Sequence, residues 1–284
     1  MEKLSLPRGR SLSLEPFAVM GIVNATPDSF HAASRHRARD EAVEAALAMV
    51  AEGAAVIDIG GESTRPGSSY IEESEELERV IPVIEALRRV SDIPLSVDTR
   101  KAAVWKAALA AGADILNDVS ALRDSPESAV LAAAAGAPIV LMHMKGEPST
   151  MQNAPYYDDC VGEVLSFLRE AAERAAAAGV ARDRIVLDPG IGFGKRREDN
   201  LALLSALGRL GGLGYPLLVG LSRKGFVGEL TGRPIEGRLA GSLGAAAAAW
   251  TLGARIFRVH DVAATRDLLL LLSSILAPAA KAGA

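Results

Sequence analysis

Ten polar side chains close short apolar runs along this sequence: Asn24, Asp58, Asp98, Asn117, His143, Asp188, Ser222, Lys224, Arg258 and His260. A single polar residue at the end of a strand needs no explanation, because a loop begins there. Many together are a different matter, since a polar group inside a protein needs a partner or a ligand. Asp98, Asn117, Asp188 and Lys224 offer acceptors, a mixed amide and a cationic donor. That set suits a flat heterocycle with polar edges, on which a carboxylate takes two adjacent N–H donors at once. A second set, Asn24, Thr64, Arg65, Arg258 and His260, is rich in donors and suits an anion and the metal it carries.

The elements that must position these residues repeat along the chain. Apolar, β-branched runs occur at 18–24, 55–60, 94–99, 114–119, 138–143, 184–189, 216–222 and 255–261, each read as a buried parallel strand. Between them lie stretches such as 39–53, 74–90, 100–112, 160–179 and 200–214, whose apolar residues recur at three and four and whose ends carry glycine. Eightfold strand and helix alternation predicts a closed (β/α)8 TIM barrel, with an open doubly wound sheet as the alternative. In a barrel the polar strand ends converge on the C-terminal mouth, and the first, second and last strands are neighbours. The 284 residues are read as one domain, with residues 1–17 capping the bottom of a barrel over 18–275.

Composition excludes several classes. Half-hydrophobic and alanine-rich, with 4% aromatics, the chain suits helices wrapped around a buried sheet. A net charge of −4 without long runs of either sign gives no footprint for nucleic acid or a membrane surface. The only cysteine, Cys160, cannot form an internal disulfide and is read as structural. No N-terminal signal is recognisable and the apolar stretches fall short of a membrane span, so a cytoplasmic location is expected.

The blocks GIVNATPDSF (21–30), IDIGGESTRPG (57–67), SVDTRK (96–101), ILNDVS (115–120), LDPGIGFGK (187–195), GLSRKGFVGEL (220–230), EGRLAGSL (236–243) and FRVHDV (257–262) resemble, in order, those of dihydropteroate synthases. The resemblance spans nearly the whole barrel and implies condensation of a dihydropterin pyrophosphate with 4-aminobenzoate. It assigns Asn24 to the Mg2+ carried by the pyrophosphate. It assigns Thr64, Asp98, Asn117, Asp188, Lys224, Arg258, Val259 and His260 to the pterin pyrophosphate, with Asp98, Lys224, Arg258 and His260 as the catalytic set. Arg65, Pro66, Phe193 and Ser222 would line the 4-aminobenzoate pocket, where sulfonamides compete. The resemblance also implies a homodimer formed through late barrel helices. One departure stands out: residues 31–37 lack the glycines usual there and carry His31 and His36, which are read as exposed loop residues. Asp58 is expected to anchor the backbone of the GGESTRPG loop, and His143 to be a satisfied rim histidine.

The implied chemistry agrees with the residues. Pyrophosphate becomes a good leaving group when cations neutralise it, the dihydropterin ring delocalises the cation left behind, and a neutral arylamine needs no dedicated base. Other functions stay open at this point: a pterin-binding methyltransferase domain, a Schiff-base aldolase built on Lys224, or a catalytically silent pterin-binding barrel. The loops at 26–30 and 64–67, poor in apolar anchors, are expected to settle only on a ligand, so that 4-aminobenzoate binds second.

Overall fold

The computed structural model describes residues 2–25, 32–64 and 67–281, with only the backbone of 32–36 and 278–281. Two short strands, β1 (Lys3–Ser5) and β2 (Ser11–Ser13), pair as an antiparallel hairpin. Eight strands follow: β3 (Ala18–Asn24), β4 (Val56–Gly60), β5 (Leu95–Asp98), β6 (Ile115–Asp118), β7 (Ile139–Met142), β8 (Ile185–Asp188), β9 (Leu218–Gly220) and β10 (Ile256–Val259). They pair in parallel in the order β8-β7-β6-β5-β4-β3-β10-β9. A parallel bridge between Leu187 and Leu217, with the Leu187 N–H donating to Pro216 O at 3.0 Å, joins the two ends. The closed barrel is therefore borne out, and every predicted strand contains an observed one.

The helices are α1 (Ala32–Ala51), α2 (Glu73–Arg88), α3 (Ala102–Ala111), α4 (Glu127–Ala135), α5 (Cys160–Ala177), α6 (Arg197–Ser205), α7 (Leu207–Gly211), α8 (Gly225–Thr231), α9 (Leu239–Thr251) and α10 (Val262–Lys281). Two expectations need correction. The stretch 32–37 is the start of α1 rather than a loop, because alanine and arginine without glycine favour helix; His36 lies in that helix and His31 lies outside the described residues. The stretch expected as one helix over 200–214 is two, α6 and α7.

Side-chain alternation along the strands makes two cores. Ala18, Met20, Val56, Ile115, Val140, Val186, Leu218 and Ile256 face inward at the bottom of the barrel and pack against Leu4, Leu6, Leu12 and Leu14 of the hairpin. The N-terminal segment thus plugs the barrel floor. The alternate residues, among them Val19, Ile57, Val97, Leu141, Leu187, Val219, Phe257 and Val259, pack outward against the helices. Fully buried Asp114 ties hairpin to barrel, taking Arg8, Arg10 and Arg88 on its two oxygens and accepting from the Leu95 N–H. With hydrophobic layers below and around it, the barrel leaves its polar inward positions to the mouth.

Candidate active site

The polar layer begins one step above the apolar floor. Asp58 in β4, wholly buried, accepts from Arg258 Nε at 2.6 Å and from Asn117 Nδ2 at 3.1 Å. Arg258 Nη2 donates to Asp98 at 2.6 Å. Asp58 therefore holds Arg258 and Asn117 inside the barrel rather than the backbone of the following loop. The reason is register: Asp58 lies in mid-strand opposite Ile22 and Ser96, two residues short of the strand end. Burial alone would lower the pKa of Arg258, but Asp58 and Asp98 outweigh it and raise it, so the guanidinium stays charged. Burial pushes the Asp98 carboxyl up to about 7 against the pull of Arg258, helped by the charge of Asp58.

Across the mouth, Asp188 closes β8. Its Oδ1 accepts from the Gly190 N–H at 2.7 Å, and burial raises it to about 6, moderated by that bond and by Lys224. Lys224, at the start of α8, rests its ammonium 4.1 Å from the centre of the Phe193 ring. Burial lowers it to about 8 although Asp188 opposes the shift. Two cations and three carboxylates, Arg258 and Lys224 with Asp58, Asp98 and Asp188, so face one another where water is scarce.

These residues open into a cavity of about 980 Å³, large enough for a drug-sized ligand. Asn24, Thr64, Asp98, Asn117, Asp188, Phe193, Ser222, Lys224, Arg258 and His260 all line it. Ser222 and His260 meet at the rim, with Oγ 3.2 Å from Nδ1. Arg223, at a positive φ of 56°, forms a paired bond with Asp261 at 3.0 and 2.7 Å, and both line the cavity beside Ser222 and Lys224.

Val259 departs from expectation. Its side chain is in the outer core, because it alternates with the inward Arg258, so only its backbone is left for a ligand. Arg65 and Pro66 lie outside the described residues, as do Thr26 to Phe30. His143 is a satisfied histidine: Lys195 Nζ is 2.9 Å from its Nδ1 and its ring meets Phe167 edge-on at 4.8 Å. Burial and then Lys195 hold it down at about 2.

Sequence reasoning gave no role to the charges behind the β4–α2 loop. Glu62 takes Arg100 at 2.9 Å and also Lys101, which reaches Glu76 at 2.5 Å; Arg100 continues to Asp124 at 2.9 Å and Glu147 at 2.7 Å. Arg100 and Lys101 sit within the SVDTRK block, but only folding shows that three loops meet on them.

A family model for pterin binding enzymes matches residues 20–260. The dihydropteroate synthase of Haemophilus influenzae is 43% identical over 260 residues, covering 92% of this chain and 94% of that one. The chain belongs to the dihydropteroate synthase family. Among solved structures of that family, the Xanthomonas albilineans dihydropteroate synthase with 4-aminobenzoic acid superposes with a TM-score of 0.89 at 49% identity, covering 97% of this chain and 98% of that one. The Xanthomonas albilineans enzyme in complex with 7,8-dihydropteroate gives 0.86 at 46% identity, covering 98% and 99%. The resemblance drawn from the eight blocks is thereby confirmed.

Proposed function

We propose that this chain condenses (7,8-dihydropterin-6-yl)methyl pyrophosphate with 4-aminobenzoate, giving 7,8-dihydropteroate and pyrophosphate. The observation that carries this reading is the Asp188 carboxylate, buried at the cavity wall with one oxygen fixed by Gly190, opposite Lys224 and above the Arg258 layer. The N3–H and exocyclic amine of a pterin are adjacent donors that this carboxylate accepts, while Lys224 donates to the O4 and N5 side. Asn117, oriented by Asp58, borders the same ring. Asp98 lies where positive charge on the ring develops as the pyrophosphate leaves, and its carboxylate form stabilises that charge.

The leaving group belongs at the rim. Arg258 supplies charge from inside the barrel, and His260 and Thr64 line the same cavity as further donors. Among the described residues no three His, Cys, Asp or Glu side chains cluster to hold a metal. Asn24, exposed at the end of β3, fits as the protein's oxygen donor to Mg2+ carried by the pyrophosphate. Bound there, Mg2+ would neutralise charge on the departing group. Phe193 and Ser222, which line the cavity, serve the aminobenzoate side, the resemblance adding Arg65 and Pro66, and the arylamine attacks without a dedicated base.

We also place the whole chain in one domain, as a dimer, in the cytoplasm. The packing of the hairpin against the inward residues of the barrel supports the first. Exposed Leu270, Leu271 and Ile275 on α10 support the second. No helix among the described residues is long and apolar enough to cross a membrane, which agrees with the third. The test is direct: purified protein with both substrates and Mg2+ should convert radiolabelled 4-aminobenzoate to dihydropteroate. Pterin binding without product would favour a silent barrel instead.

A further inference from the structure

In the cavity wall one buried lysine is ringed by dipoles. Lys195 is 3% exposed, and its Nζ lies 2.9 Å from Gly190 O, 3.0 Å from Phe193 O, 3.2 Å from His143 O and 2.9 Å from His143 Nδ1. Carbonyl oxygens only accept, so the lysine nitrogen must donate to them. Three carbonyls and a ring nitrogen around one point are the surroundings of a bound monovalent cation, here provided by a side chain. Without it the carbonyl dipoles would point at one another in a buried space, unpaired.

The carbonyls are not arbitrary ones. Gly190 is the residue whose N–H fixes Asp188 Oδ1, and the Phe193 N–H donates to Gly190 O at 3.1 Å. The His143 N–H donates to Asp188 O at 3.0 Å. Lys195 therefore joins, through its ammonium, the backbone behind the pterin-facing carboxylate and the backbone behind the ring that supports Lys224. The rest of the loop is pinned from outside, by Asn200 Oδ1 accepting from Gly192 N–H at 2.7 Å and the Tyr157 hydroxyl donating to Gly194 O at 2.8 Å. To these backbone bonds the Lys195 ammonium adds a side-chain tie that joins both functional ends of the loop to His143, just beyond β7.

We propose that Lys195 is a positioning residue for both substrates, its ammonium acting as a built-in cation that sets Asp188 and Phe193 through Gly190, Phe193 and His143. This rests on the assignment of Asp188 to the pterin and Phe193 to the aminobenzoate. The His143 ring, 2.9 Å away at Nδ1, completes the shell around the lysine nitrogen.

Removing the side chain beyond Cβ tests it. Lys195→Ala should raise KM for 4-aminobenzoate and Kd for the pterin substrate by about tenfold or more, with a smaller fall in kcat, since misplacing Asp188 and Phe193 weakens the binding of the ligands they hold. Added n-propylammonium, which replaces the three missing carbons and the nitrogen, should restore both constants, whereas n-propanol should not and neither should alter the parent enzyme. Lys195→Met, which keeps the stem without the charge, should show the same losses without rescue and serves if the alanine variant does not fold. Parent-like KM and Kd in either folded variant, or losses that n-propylammonium and n-propanol affect equally, would overturn the proposal. An inactive parent enzyme would instead sink the synthase reading itself.

Discussion

Asp188 and Lys224 illustrate how burial prepares a side chain for a ligand. If the Asp188 carboxylate accepts from two adjacent pterin donors, Asp188→Asn sets an amide N–H against a donor, leaving buried groups unpaired at a cost of roughly 1–3 kcal/mol. Pterin affinity should fall at least about tenfold, and unchanged affinity in a folded variant by calorimetry would refute the assignment. Together with Asp98 these groups set a pH window. Asp188 near 6 and Asp98 near 7 must be ionised and Lys224 near 8 protonated, so kcat/KM should rise through about 6 to 7 and fall beyond about 8, reporting the free enzyme. Stability runs otherwise. Because Asp188 is raised from 3.8 to about 6, its contribution to folding is full below 3.8 and lost as pH rises through 6. A pterin donating to the carboxylate recovers that loss, so the increase in Tm on adding pterin should be larger at pH 7 than at pH 5; the reverse order in differential scanning fluorimetry would contradict the bond.

At the scale of elements, the sequence marks strands far better than it marks the supports of loops. β3 to β10 were legible because β-branched runs bounded by turn residues have few other solutions, and their polar ends named most of the cavity lining. Asp58 was misjudged although its mid-strand position in VIDIG already placed it inside the barrel. Lys195 could not be read at all, since its partners are mostly backbone carbonyls, which carry no residue identity. The β8–α6 loop also depends on glycines with different duties. Gly190, at φ +66°, leaves no room for a side chain: a Cβ there would lie 1.9 Å from His143 O. At Gly192, φ +85°, a Cβ would meet the flexible Lys224 side chain at 3.2 Å. Gly190→Ala should therefore cost about 2–4 kcal/mol in urea unfolding, because backbone must move, whereas Gly192→Ala should cost less stability but displace Lys224 and weaken substrate binding. Equal losses of stability in the two variants would show that the loop yields as a whole.

At the scale of the molecule, one outer face gathers exposed aliphatic side chains on adjoining helices. The barrel's floor is plugged by the hairpin, its helices pack their alanine-rich sides inward, and its mouth is polar. On α10, Leu271 and Ile275 are 63% and 61% exposed, with Leu270 and Leu276 beside them, and Leu252 lies exposed just beyond α9; α9 and α10 pack against each other. Scattered surface leucines are ordinary, but several on adjoining helices form the surface that the proposed dimer would cover. The same face on a second copy would cover it with two-fold symmetry, since each apolar strip then buries its twin. The α9 sequence LAGSLGAAAAAWT has small residues that let helices approach closely. Leu271→Glu with Ile275→Glu should accordingly yield a monomer in sedimentation velocity where the parent chain sediments as a dimer. The cavity opens at the C-terminal ends of the strands and contains no residue of α10, so the monomer should retain substrate affinity measured by calorimetry while losing thermal stability. A parent chain that sediments as a monomer at tens of micromolar would show that these leucines serve something other than self-association.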